Sequence, residues 1–94
     1  MKIYIAGKIT GDPNYRAKFN KYRRILEKQG HIVLNPAVLP SGLSYAEYAR
    51  IDFAMIDCAD VVAFLPDYQD STGARLELAY CQYICKPVKM LGGL

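Results

Sequence analysis

The stretch DVVAFLPDYQDSTGARLE, residues 60–77, decides the fold of this 94-residue chain. It opens with the apolar run Val61–Leu65, continues through the polar loop Asp67–Thr72, and enters a helical pattern that carries Glu77 in its opening turns. An unbroken apolar run is typical of a parallel strand that is covered on both faces. Open α/β sheets bind their ligands where such a strand ends in a loop at the start of a helix. Glu77 is therefore the first candidate for chemistry.

The rest of the chain repeats this alternation of strand and helix. We predict strands at Lys2–Ala6, His31–Leu34, Val61–Leu65 and Val88–Leu91. The first predicted helix is capped by Asp12 and ends at Gly30. The second starts near Tyr45, at the capping box Ser44–Glu47, and the third ends at Lys86-Pro87. The predicted apolar stripes of the three helices are Tyr15, Phe19, Tyr22 and Leu26, then Tyr48, Ile51, Met55 and Ala59, then Ala74, Leu78, Cys81 and Cys85.

This order of elements predicts an α/β fold: a doubly wound, flavodoxin- or Rossmann-like open parallel sheet of four strands with three helices. Right-handed crossovers favour the strand order 2-1-3-4. The loop after the first strand, Gly7–Gly11, then faces the loop after the third strand across a crevice. Residues 1–94 are long enough for one modest core, so we predict a single domain.

Composition narrows the class of protein. With 52% hydrophobic and 22% charged residues, the chain resembles an ordinary globular domain, and no apolar run approaches the about 20 residues that span a bilayer. Since no secretory signal follows Met1, we expect a cytoplasmic protein with no membrane partner. Three cysteines, with Cys81 and Cys85 four residues apart in a predicted helix, favour buried thiols over disulfides. With one histidine and no CxxC motif, we expect neither a metal nor another cofactor.

The net charge of +3 is concentrated in the first helix. Half of the twelve basic residues lie there: Arg16, Lys18, Lys21, Arg23, Arg24 and Lys28. A solvated helix face is the favoured interpretation. An attraction for phosphorylated substrates or a nucleic-acid footprint is the alternative.

Two carboxylates border the predicted crevice. Asp52 lies at the edge of the apolar face of the second helix, as either a solvent-edge residue or a carboxylate held in a partly dry cleft with a raised pKa. Glu77 borders the buried side of the third helix, where it is either a functional acid or a carboxylate favoured by the helix dipole, with Ser71 or Thr72 as a simple cap. The pair suits glycosyl transfer, but these residues alone do not distinguish that chemistry from ligand binding.

Three motifs resemble those of the nucleoside 2-deoxyribosyltransferases and the related 2′-deoxynucleoside 5′-monophosphate N-glycosidases. They are Tyr4-Ile5-Ala6-Gly7, then Ile51-Asp52 followed by Cys58-Ala59-Asp60-Val61-Val62-Ala63, and Ser71-Thr72-Gly73-Ala74-Arg75-Leu76-Glu77. A closer resemblance, over nearly the whole chain, is to a small phage and bacterial domain of unassigned function in the same superfamily.

The resemblance implies a role for each matching residue. Glu77 would attack C1′ of a deoxyribosyl group, Asp52 would protonate the departing base, and Tyr4 would hold the nucleophile. The resemblance implies that Gly7, Ser71 and Gly73 lie around the sugar or its 5′ substituent. We add Lys8, Ile9 and Asp70 as candidate substrate-binding residues, with a solvated loop acid as the alternative for Asp70. Water as the second acceptor makes the family's reaction a hydrolysis, and another base makes it a transfer. The implied partner is a small nucleoside or nucleotide.

Two departures from the family pattern leave alternatives open. Thr10 stands where the monophosphate hydrolases carry an arginine, which puts recognition of a phosphate in question, and Lys8 replaces that arginine poorly. The chain also stops soon after its fourth strand, so a non-catalytic nucleotide-binding or interaction module is the alternative function. The family is commonly oligomeric, and Tyr80 and Tyr83 are candidate residues for a subunit interface. Nucleic-acid binding by the first helix is the weakest of the possibilities.

Overall fold

The computed structural model describes residues 1–92. Its strands are β1 (Lys2–Ala6), β2 (Ile32–Leu34), β3 (Val61–Phe64) and β4 (Val88–Met90), and its helices are α1 (Tyr15–Lys28), α2 (Tyr45–Cys58) and α3 (Thr72–Tyr83). Short 3₁₀ turns occupy Pro36–Val38 and Tyr68–Asp70. All strand pairs are parallel and the sheet order is β2-β1-β3-β4. The predicted α/β fold and strand order are confirmed.

The sheet separates two hydrophobic cores. On one face, Ile3 and Ile5 of β1 pack with Phe19 and Leu26 of α1. The other residues of β1 point to the opposite face, where Tyr4 packs in a cluster with Ile56 and Cys81. Because the side chains of a strand alternate, Tyr4 is directed into the layer formed by α2 and α3.

Helix α1 begins later than predicted. The Asp12 carboxylate accepts a hydrogen bond from the backbone N–H of Asn14 at 2.9 Å, which makes a local turn, and Asn14 is the N-cap of the helix. The prediction that Asp12 caps the helix is therefore wrong. Gly30 does end it: its φ is +93°, and its N–H donates to the Glu27 carbonyl at 2.9 Å.

Helix α3 ends earlier than predicted, at Tyr83. Cys85 adopts a φ of +59°, and the Lys86 N–H donates to the Cys81 carbonyl at 2.8 Å, so the chain closes the helix without a glycine. Cys85 is consequently exposed, as is Cys58, and only Cys81 is a buried thiol. The prediction that Cys85 continues the buried stripe is wrong because a non-glycine residue in the left-handed conformation leaves no simple signal in the sequence.

Helix α2 has the predicted start but a different buried face. Its capping box forms, with the Ser44 hydroxyl accepting from the Glu47 N–H at 3.1 Å and the Glu47 carboxylate accepting from the Ser44 N–H at 2.8 Å. Ile56 is fully buried, whereas Ile51, which was predicted to be buried, is 37% exposed. Contact with α3 and the sheet sets the orientation of α2, and this contact is invisible to helical periodicity.

The two helices on this face are joined by an aromatic stack. The rings of Phe53 on α2 and Tyr80 on α3 lie parallel, with centroids 4.3 Å apart, and the Tyr80 hydroxyl donates to Asp57 at 2.7 Å. Tyr80 thus joins α2 to α3, whereas Tyr83 is 87% exposed. Among residues 1–92, no helix combines the length and apolar character needed to cross a membrane.

Two glycines of the predicted site differ in their surroundings. A Cβ on Gly7 would lie 2.8 Å from Cδ1 and 3.0 Å from Cβ of the fully buried Leu65, whereas a Cβ on Gly73 would meet only the Ser71 hydroxyl, at 3.9 Å. Gly7→Ala should therefore lower the free energy of unfolding by about 1–3 kcal/mol. Gly73→Ala should raise it by about 0.5–1 kcal/mol, since alanine favours the helix. Urea denaturation of both variants tests this, and a Gly7→Ala protein as stable as the wild type would contradict the packing argument.

Candidate active site

The centre of the candidate site is a hydrogen bond between Tyr4 and Glu77. Glu77 lies on α3 and is only 7% exposed, which is unusual for an ionisable side chain. Tyr4 is fully buried in the middle of the sheet, and its hydroxyl donates to Oε2 of Glu77. A buried acid without a partner would be strongly unfavourable, so β1 supplies the polar group that makes Glu77 tolerable at this position.

Burial raises the pKa of Glu77 to about 8, and the negative charge of Asp52 also raises it, while the hydrogen bond from Tyr4 opposes the shift. Burial, followed by the charge of Glu77, raises the pKa of Tyr4 well above its ordinary value. Tyr4 therefore stays protonated at neutral pH and remains a donor. In the free protein Glu77 is therefore mostly protonated at neutral pH, while the hydrogen bond from Tyr4 favours its ionised form.

Asp52 reaches the same region from α2. It is half-buried, and its Oδ1 is buried with no hydrogen-bond partner among residues 1–92. This burial raises the pKa of Asp52 to about 6. Of the two interpretations left open by the sequence, these observations support the half-buried carboxylate with a raised pKa over a solvent-edge residue. The effect of Asp52 on the pKa values of both Glu77 and Tyr4 places the three groups in one electrostatic unit.

A second cluster, the Lys18 cluster (Lys18, Asp12 and Asp67), joins the loops after β1 and β3. The Lys18 ammonium lies 2.6 Å from Asp12 Oδ2 and 2.5 Å from Asp67 Oδ2, and it also donates to the Lys8 carbonyl at 2.7 Å. Asp67 Oδ1 accepts from the Lys8 N–H at 3.1 Å. This cluster was not predicted, because Lys18 and Asp67 were interpreted as solvated charges, and only the sheet topology brings them together.

The structure places the remaining predicted residues at the same edge of the sheet with different surroundings. Gly7 is buried against Leu65, Lys8 takes part in the Lys18 cluster through its backbone, and Ile9 packs on the α1 side. Ser71 is the N-cap of α3, accepting from the Ala74 N–H at 3.1 Å, so the simple capping interpretation holds for that side chain. Asp70 and Gly73 are exposed at the loop and the helix start.

A separate groove of about 700 Å³ lies between α1 and residues 35–40. It is lined by Arg16 and Arg23 but by neither Asp52 nor Glu77. The candidate site is thus defined by buried acids and not by the volume of this groove. Within the described part of the chain, no group of three or more His, Cys, Asp or Glu side chains could hold a metal ion.

Comparison with known proteins assigns the family. Residues 1–90 match the model of the domain of unknown function DUF4406. The chain belongs to this family. Over 94% of its length, the DUF4406 chain is 31% identical to the "putative 2′-deoxynucleoside 5′-phosphate N-hydrolase 1" of Thermofilum pendens, and it spans 65% of that protein.

Solved structures share the fold. A 2-deoxyribosyltransferase from Bacillus psychrosaccharolyticus superposes with a TM-score of 0.75 at 24% identity, covering all of this chain and 76% of that one. A 2-deoxyribosyltransferase from Leishmania mexicana superposes with a TM-score of 0.76 at 21% identity, covering 96% of this chain and 63% of that one. These matches confirm the expected place of the DUF4406 chain in the nucleoside 2-deoxyribosyltransferase-like superfamily.

The raised pKa of Glu77 predicts a pH dependence of stability. Between its ordinary pKa of 4.5 and its folded pKa of about 8, Glu77 is protonated in the folded state and ionised in the unfolded state. The contribution of the Glu77 proton to the free energy of unfolding is therefore complete below pH 4.5 and is lost as the pH rises through about 8. The loss is on the order of a few kcal/mol. Urea denaturation between about pH 6 and 9 should show the free energy of unfolding falling as the pH rises, both in the wild type and in the exposed control Glu27→Gln. The same slope in Glu77→Gln would contradict the assignment.

Proposed function

We propose that this DUF4406 domain cleaves or transfers the N-glycosidic bond of 2′-deoxynucleosides or 2′-deoxynucleotides, with Glu77 as the nucleophile. The observation that carries the proposal is the buried Glu77 carboxyl group, held by the Tyr4 hydroxyl in one electrostatic unit with Asp52. An acid that is buried and paired in this way is typical of catalytic sites. The names of the relatives support the choice of substrate.

In the first step, a carboxylate oxygen of Glu77 attacks C1′ of the deoxyribosyl group. The bond between C1′ and the base nitrogen breaks, its electron pair goes to the base, and Asp52 gives a proton to the departing base. The product is a glycosyl ester on Glu77. In the second step, water or another base attacks C1′ and releases Glu77, and Asp52 takes up the proton that the attacking group loses. Two displacements at C1′ retain its configuration.

The geometry of Tyr4 suits this role for Glu77. A nucleophilic carboxylate must be ionised, and the Tyr4 hydroxyl donates to the oxygen that would carry the charge. The positive charge that develops on the sugar in the transition state favours the same form. Burial raises the pKa of Glu77 to about 8 and that of Asp52 to about 6. The form that the reaction needs, with Glu77 ionised and Asp52 protonated, is therefore the minor one in the free protein at neutral pH.

One observation favours a second candidate function, a nucleotide-binding or interaction module without turnover. Burial favours the protonated form of Glu77, which cannot attack C1′. The chain spans 65% of the length of the Thermofilum pendens relative, so the activity in that protein's name is only proposed for this chain. We also propose a homo-oligomer, with the exposed Tyr83 as a contact residue.

Release of free base tests the main proposal. A panel of deoxynucleosides and their 5′-monophosphates, with and without an acceptor base, should yield free or exchanged base by chromatography. Glu77→Gln, which keeps the shape of the side chain, and Glu77→Ala should abolish the release, because neither side chain can form the glycosyl ester. Glu27→Gln on α1, an equal change of charge at an exposed position, should retain it. Absence of release from every substrate, with nucleoside binding intact in Glu77→Gln, would favour the binding module.

The pH profile separates the roles of the two acids. In the wild type, kcat/KM should be bell-shaped with limbs near pH 6 and 8. Asp52→Asn should lower the rate by about 10²–10⁴ and remove the fall at high pH, leaving only the rise that ionises Glu77. That loss should be smaller for a deoxynucleoside of a 7-methylated purine, whose cationic base leaves without a proton. A falling limb that survives in Asp52→Asn would exclude Asp52 as the acid.

A further inference from the structure

The names of the relatives differ in one chemical feature, the 5′-phosphate, which appears in that of the Thermofilum pendens protein and not in those of the deoxyribosyltransferases. We propose that the crevice of this chain takes 2′-deoxynucleosides with a free 5′-hydroxyl in preference to their 5′-phosphates, because the Lys18 cluster fills the mouth of the crevice with the protein's own anions. The inference rests on the proposed function. Asp12 and Asp67 are its specificity-determining residues.

The ammonium group of Lys18 has no donor left for a phosphate. A lysine side chain has three N–H donors. In this structure three oxygens lie within hydrogen-bond distance of Nζ: Asp12 Oδ2 at 2.6 Å, Asp67 Oδ2 at 2.5 Å and the Lys8 carbonyl at 2.7 Å. An incoming phosphate would have to displace one of these oxygens, and a displaced carboxylate would remain beside it.

The protein also uses several of the backbone donors that could hold an anion here. The Lys8 N–H donates to Asp67 Oδ1 at 3.1 Å, and the Asn14 N–H donates to Asp12 Oδ1 at 2.9 Å. At the start of α3, where a helix dipole favours an anion, the Ala74 N–H donates to the Ser71 hydroxyl at 3.1 Å. Side-chain oxygens thus already occupy three of the backbone donors that could otherwise bind a phosphate oxygen.

The charge at the mouth opposes a second anion. Lys18 contributes one positive charge and Asp12 and Asp67 two negative charges, so the cluster carries a net charge of −1. The hydrogen bond from Lys18 lowers the pKa of Asp12, which keeps that carboxylate ionised at neutral pH. Even with Lys8 included, whose Cε lies 3.7 Å from the point where a Cβ of Gly11 would stand, the charge reaches only zero. A phosphate, with nearly two negative charges at neutral pH, would therefore bring the total charge of these four side chains and the ligand to nearly −2.

A 5′-hydroxyl suits the same surroundings. It can donate to a carboxylate oxygen, since each such oxygen has more than one lone pair, and it can accept from a neutral backbone donor. The N–H groups of Ile9 and Thr10 donate to no group within residues 1–92. A hydroxyl oxygen could accept from them as a phosphate oxygen could, so the charge of the carboxylates is what distinguishes the two ligands. A 5′-hydroxyl can therefore form hydrogen bonds with this loop without adding a negative charge beside Asp12 and Asp67.

Paired substrates test the proposal. For one base, kcat/KM should be about tenfold or more higher for the deoxynucleoside than for its 5′-monophosphate. Asp67→Asn keeps an oxygen that can accept hydrogen bonds but removes one negative charge, so it should shift this ratio toward the monophosphate. Asp60→Asn is the matched control, because it removes the same charge from the residue that precedes β3, at the opposite end of the sheet, where Asp60 accepts from the Lys2 N–H. The control should leave the ratio unchanged.

The outcomes separate this inference from the proposed function. A monophosphate that reacts as well as the nucleoside, or an unchanged ratio in Asp67→Asn, would overturn the inference while the glycosidic activity stands. If no substrate is cleaved, the proposed function fails, and binding of 2-deoxyribose and 2-deoxyribose 5-phosphate, followed through the amide NMR signals of residues 7–11, still tests the preference. Weaker binding of the phosphorylated sugar supports it. Equal or tighter binding of the phosphorylated sugar, or no binding of either, overturns it.

Discussion

The hydrogen bond between Tyr4 and Glu77 is the constraint on which the rest of the site depends. A carboxyl group in the apolar layer between the sheet and two helices is unfavourable unless it has a polar partner. Here the partner comes from the central strand, 73 residues earlier in the chain. Glu77 can therefore be both buried and oriented, and the opposing effects of burial and hydrogen bonding set how readily it ionises.

The second acid depends on how α2 packs against α3. The stacked rings of Phe53 and Tyr80, together with the hydrogen bond from Tyr80 to Asp57, connect the helices next to the two candidate acids. Phe53 follows Asp52 directly, and Tyr80 is one helical turn beyond Glu77. The relative position of the two carboxyl groups is consequently fixed by contacts that lie outside the site itself.

The loops at the edge of the sheet are fixed by charge and not by apolar packing. Lys18 sits on α1, on the opposite face of the sheet from Glu77, and connects the loop after β1 with the loop after β3. The cluster is partly buried, so its ion pairs are less screened by solvent than pairs on an open surface. A helix whose basic residues read as a solvated face thus supplies the group that orders the mouth of the crevice.

The sequence by itself determined the α/β class, the strand order, the capping box of α2 and the identity of Asp52 and Glu77 as candidates, whereas Tyr4 became a candidate only through the family resemblance. These features are encoded locally, by apolar runs, capping residues and short motifs whose order along the chain follows the topology of a parallel sheet. The start of α1 and the end of α3 were not predicted, because Asp12 accepts from a neighbouring backbone N–H and Cys85 takes a conformation usual for glycine.

Only the tertiary structure decided which groups meet. In the folded chain Ile56 is buried in place of Ile51, and the Tyr4 hydroxyl donates to Glu77. Asp52 Oδ1 has no hydrogen-bond partner within residues 1–92, and Lys18 lies between two carboxylates. The partners in these contacts lie on different elements, so their distances depend on how helices pack and on how adjacent strands end. Periodicity within one segment carries no information on such distances. The physical reason is that burial and charge pairing are properties of the folded chain and not of its local pattern.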